Sequence, residues 1–81
     1  MDHSTTEQVY AFIQTYTEDH PGLSPSQREI AQACFLSQPA VIRHLDRLEQ
    51  QGRIQREPGQ ARSIRIIEDK NEHKKLSNDN L

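Results

Sequence analysis

The chain is poor in several residue types, and each scarcity excludes something. It has one cysteine, three glycines and no tryptophan in 81 residues. A single cysteine cannot form an internal disulfide, which removes the stapled secreted scaffolds and suits a reducing compartment. Three glycines form no phosphate-cradling loop, and no nucleophile–base pair stands out, so no enzyme class is indicated. His3, His20, His44 and His73 are too scattered for a metal motif, and Cys34 lacks a cysteine partner. No cofactor is therefore expected. No apolar run is long enough to span a bilayer, and no basic start precedes a hydrophobic stretch as in a signal peptide, so a cytoplasmic location is expected. The first twenty residues contain no Lys or Arg at all.

What remains is one small, polar domain, 32% hydrophobic. A chain of this size buries only about 60% of its unfolded surface, so its core must be compact. Net charge is −2, but it is unevenly spread. Residues 1–20 hold four acids, residues 24–67 hold seven arginines against four acids, and residues 68–81 hold four acids and three lysines. All the arginine thus lies in the middle, where its planar guanidinium suits phosphate and base recognition.

The most informative stretch runs from Arg28 to Ile54. Ser26 and Glu29 have the spacing of a capping box, and Pro25 discourages an earlier helix start. Ile30, Ala33 and Cys34 then form a short apolar stripe. Ser37 caps a second helix, with Pro39 tolerated in its first turn. Val41, Leu45 and Leu48 form its buried face, and Gln51-Gly52 stops it. At about 100° per residue, Pro39, Arg43, Asp46, Arg47 and Gln50 fall on the opposite side, with Ile42 on the flank. In such a helix pair, Gln38 suits adenine and Arg43 suits guanine, while Ala40 and Ile42 suit thymine methyls. Asp46 argues against deep insertion at its position, because a carboxylate repels phosphate.

Before this pair, Val9, Phe12, Ile13 and Tyr16 predict a helix that starts near the cap candidates Ser4 to Thr6 and ends near Asp19. His20-Pro21-Gly22 turns the chain, and Leu23 is expected to tuck under the next helix. After Gly52 the period changes. Ile54 to Glu57 and Arg62 to Ile67 read as strands around a Pro58-Gly59 turn, with Ile64 and Ile66 on one face. Arg53, Arg56, Arg62 and Arg65 make this hairpin densely basic. His44, at the buried edge of the second helix, is assigned to packing or a backbone hydrogen bond, and Cys34 to the core.

Residues 26–54 resemble winged helix-turn-helix transcription factors. PSQREIAQ followed by HLDRLEQQGRI, with the ARSIRII exit, most resembles the N-terminal DNA-binding domain of the LexA repressor family. MarR-type regulators share the central spacing. The resemblance covers roughly residues 5–67. It implies an α+β, mostly α fold, with three helices and a two-stranded β-hairpin wing. Residues 1–4 are then a disordered start and residues 68–81 a flexible polar tail.

Two departures stand out. Phe35 occupies a turn position where the family commonly has glycine, which predicts a reshaped turn. The chain also has no room for the serine–lysine peptidase domain of LexA, so a reader without its switch is expected.

The resemblance implies a sequence-specific regulator of double-stranded DNA, most simply a repressor of bacterial or phage type associated with the nucleoid. Because one copy would make few phosphate contacts, a homodimer on two half-sites is expected for useful affinity. Its DNA-contacting residues would be Ser26, Gln27 and Arg28; Ser37, Gln38, Pro39, Ala40, Ile42, Arg43 and Arg47; and Arg62 and Ser63 at the wing tip. The alternative is a winged-helix module that docks another protein.

Overall fold

A computed structural model describes residues 2–57 and 63–67, with side chains from Ser4 onward. Three helices are followed by two short strands: α1 (Asp2–Asp19), α2 (Gln27–Cys34), α3 (Gln38–Gln50), β1 (Ile54–Gln55) and β2 (Arg65–Ile66). The strands pair antiparallel, Ile54 with Ile66 and Gln55 with Arg65. This is the winged helix-turn-helix arrangement that the residue pattern predicts. The Pro58-Gly59 turn, Arg62 and the 68–81 tail lie outside the described residues.

Local chemistry sets the helix boundaries. The capping box forms in full: Ser26 Oγ accepts from Glu29 N–H at 3.1 Å, and Ser26 N–H donates to Glu29 Oε1 at 2.9 Å. Ser37 Oγ accepts from Ala40 N–H at 3.2 Å and opens α3, with Pro39 in the first turn. At the far end, Gly52 N–H donates to Glu49 O and Arg53 N–H to Leu48 O. That pair of bonds needs a left-handed residue, and Gly52 supplies it at φ 75°. α1 opens at Asp2, ahead of the Ser4–Thr6 candidates and within the expected loose start.

The core is a single cluster of Val9, Ile13, Ile30, Ala31, Val41, Leu45, Leu48, Ile54 and Ile64, with Phe12, Cys34, Leu36 and Ile66 packed on its edge. It draws on every element, so a hairpin that is marginal alone is held by its isoleucines on the helices. Burial pushes the Cys34 thiol up, which keeps it protonated and suits a small core side chain.

Four expectations are corrected. Ala33 is exposed and Ala31 buried instead. Because α2 packs against both α1 and α3, its buried arc centres between Ile30, Cys34 and Ala31, turning Ala33 outward. Leu23 does not tuck in; it is 55% exposed. Its backbone is committed to the Pro21-Gly22 turn, closed by Leu23 N–H to His20 O at 2.9 Å with Gly22 at φ 83°. The strands are two residues each, shorter than expected. His44 bonds a side chain and not the backbone: its Nδ1 lies 2.9 Å from Oγ1 of the buried Thr6 on α1.

Candidate nucleic-acid interface

Val41, Leu45 and Leu48 face inward on α3 and are fully buried, which turns Pro39, Ile42, Arg43, Asp46, Arg47 and Gln50 to solvent. Ser37 and Gln38 are exposed at its start, and Ala40 is half-buried. On α2, Arg28 is exposed while Ser26 and Gln27 are half-buried. An open cleft of about 420 Å³, lined by Arg28, Ala31, Gln32, Leu36 and Gln38, joins the starts of the two helices. The fold therefore brings together the α2 and α3 candidates. Gln32 joins them, one helical turn beyond Arg28, and that i, i+4 spacing could have flagged it.

The two serines have double duties. Ser26 and Ser37 accept cap bonds, so each keeps its hydroxyl proton and one lone pair for an outside partner. Ser63 is occupied within the hairpin: its Oγ donates to Glu57 O and accepts from Glu57 N–H, both at 3.1 Å. Arg62 lies outside the described residues.

Phe35 keeps the left-handed conformation, at φ 57° and ψ 48°. Two bonds explain why the turn is not reshaped. Phe35 N–H donates to Ala31 O, and Leu36 N–H donates to Ala31 O at 2.9 Å. Together they close the helix end and point Leu36 into the core edge. The phenyl ring gains nothing in exchange, being 93% exposed. Replacing Phe35 by glycine should relieve about 1–2 kcal/mol of left-handed strain. Glycine's greater unfolded-state freedom offsets about 0.5–1 kcal/mol of this. A modest net rise in thermal stability is expected. A fall in melting temperature would show that the ring has a packing role.

Five of the seven arginines divide into two groups. Arg28, Arg43 and Arg47 are exposed, with no carboxylate partner among the described residues. Arg53 and Arg56 are not the free cations of a basic hairpin. Arg53 grips Glu7 of α1 with both Nη atoms, at 2.6 and 2.9 Å, and lies 4.0 Å over the Tyr10 ring. The hydrogen bond to Glu7 is the main reason its pKa is raised. Arg56 reaches from the end of β1 to α3, with Nη2 2.5 Å from Asp46 Oδ1 and 2.8 Å from Glu49 Oε1, and Nε 3.1 Å from the same Glu49 oxygen. Burial opposes its charge, but the hydrogen bonds it donates to Glu49 and Asp46 outweigh this and its pKa is raised. Among the described residues, the arginines without a carboxylate partner are therefore Arg28 on α2, Arg43 and Arg47 on α3, and the exposed Arg65 on β2, which donates to Gln55 Oε1 at 2.9 Å.

No helix among the described residues is long and apolar enough to cross a membrane. The family described as the LexA DNA binding domain matches residues 4–63. A LexA repressor of Xylella fastidiosa (strain M23) is 49% identical over 67 residues, covering 82% of this chain and 32% of its own length. One from Clostridium perfringens (strain SM101 / Type A) is 41% identical over 70 residues, covering 85% of this chain and 34% of that protein. The protein named LexA repressor 2 of Xanthomonas oryzae pv. oryzae is 45% identical over 67 residues, at 82% and 32% coverage. The chain spans about a third of the length of these curated relatives. From its capped helix pair through its wing, the chain belongs to the LexA DNA-binding domain family.

Proposed function

We propose that this domain binds double-stranded DNA sequence-specifically and represses transcription by occupying an operator. The observation that carries this reading is the outer face of α3, where Arg43 and Arg47 are exposed without carboxylate partners. Next to it, the cleft joins Arg28 to Gln38. α3 enters the major groove. Gln38 and Arg43 meet base edges, Ala40 and Ile42 meet thymine methyls, and Arg28 and Arg47 meet phosphates. Ser26, Gln27, Ser37 and Pro39 approach the backbone, and Arg62 and Ser63 at the wing tip lie on the backbone or minor groove.

One domain makes few phosphate contacts, so useful affinity calls for a homodimer on two half-sites about one helical turn apart. The chain acts as a reader without chemistry of its own, in the cytoplasm and at the nucleoid.

Exposed Phe35 and Ile42, at 93% and 39%, favour a second reading in which the same face docks a protein. Selection of bound sites from a random duplex library, then titration of the winner at two salt concentrations, separates the two. Operator binding yields a palindromic consensus and a steep loss of affinity with salt, as counterions are released. No enrichment would sink the operator reading in favour of docking.

A further inference from the structure

Asp46 sits three residues after Arg43 on the exposed side of α3, the spacing at which opposite charges pair along a helix. Nevertheless Arg43 has no ion pair among the described residues, and Asp46 instead bonds Arg56. The same guanidinium also holds Glu49, so both acids of α3 are drawn to one cation from the base of the hairpin. The Arg56 side chain is only 20% exposed, against 54% for Asp46 and 40% for Glu49, so the cation is the more buried partner and the acids reach it from the surface.

We propose that Arg56 is a positioning residue for DNA binding, which collects Asp46 and Glu49 so that Arg43 stays unpaired and α3 can approach phosphate. The inference rests on the DNA-binding reading above. It also removes the objection that Asp46 raised against insertion of the helix. An acid paired in place repels the backbone less and does not compete for Arg43. Arg56 does this without touching DNA. Its Nε and Nη2 donors are committed to carboxylates, and its contribution passes through the groups it holds.

The test compares wild type, Arg56→Ala, Asp46→Asn and Arg56→Ala with Asp46→Asn, using the selected duplex at low and moderate salt. The carboxylate ends of these pairs are exposed and such pairs add little stability, so all four should keep the wild-type circular dichroism spectrum and similar melting temperatures. Arg56→Ala is expected to weaken binding about tenfold at low salt, through repulsion and sequestration by a freed carboxylate. Adding Asp46→Asn should restore binding to within about threefold of wild type, since the carboxylate within reach of Arg43 is gone and Glu49, six residues from Arg43, is not spaced to pair with it.

A direct phosphate contact by Arg56, or a purely structural role, predicts no rescue, and that result would overturn the proposal. Equal binding by wild type and Arg56→Ala would overturn it as well. Wild type that binds no duplex at either salt fails differently, because it sinks the DNA reading and this inference together.

Discussion

Replacing Leu45 by alanine is expected to destabilise the domain by about 2–5 kcal/mol, the range for a fully buried leucine whose cavity cannot collapse. A small domain has only about 0.05–0.15 kcal/mol of stability per residue, so this is a large part of the total. Leu45 has no exposed surface, and its neighbours in the core come from α1, α2 and the hairpin. Its truncation therefore loosens the helix that carries Arg43 from every side at once. Thermal unfolding followed by circular dichroism should show a fall of ten degrees or more, at about 4–8 °C per kcal/mol for a domain of this size. Leu45→Met, which conserves volume, should cost less than about 1.5 kcal/mol. If alanine were as well tolerated as methionine, α3 would not be anchored through this residue.

The second large effect concerns binding. Arg43→Ala should cost about 1–3 kcal/mol against the preferred duplex, and relax the preference at one base position. The reason is geometric. Arg43 is exposed beyond the buried Val41–Leu45–Leu48 side of α3 and has no carboxylate partner among the described residues, so its fork is available for a guanine edge. Arg43→Lys keeps the charge but loses the bidentate fork, and should recover little of the base preference. Affinities measured against single-base variants at two salt concentrations decide the role. Equal weakening on every sequence, with a salt slope lowered by about one, would mark a phosphate contact instead.

The two effects differ in kind. Leu45 acts on whether α3 is held at all, while Arg43 acts on what α3 meets once held. A variant that lost both stability and binding would therefore be uninformative about recognition. Arg43 is exposed, and its removal should leave the fold intact.

The buried polar pairs behave like neither. Ser24 Oγ accepts from Ile64 N–H at 3.0 Å and donates to Pro25 O at 3.0 Å, tying the segment before α2 to the segment before β2. Ser24→Ala would leave that buried amide without its acceptor, at a cost of about 1–3 kcal/mol. The measurement is the same thermal unfolding. An unchanged melting temperature would show that water replaces the hydroxyl.

The sequence alone determined the features decided within a helical turn or two. Ser26 with Glu29, Ser37 with Pro39, and Gly52 after Gln51 act on amides and carbonyls only a few residues away, so they set the ends of α2 and α3 wherever those helices dock. Hydrophobic periodicity likewise marked Val9, Ile13, Ile30, Val41, Leu45 and Leu48, because a burying face repeats every three or four residues. Tertiary structure alone decided the rest. Thr6 meets His44 across 38 residues, Ser24 meets Ile64 across 40, and Arg53 meets Glu7 across 46. A long, flexible arginine can reach several acids, and the docking of helices and hairpin chooses which. That choice separated Arg53 and Arg56, held by carboxylates, from Arg43 and Arg47, left to solvent. It also selected Ala31 over Ala33, because only the position of two neighbouring helices tells on which side of Ile30 the buried arc continues.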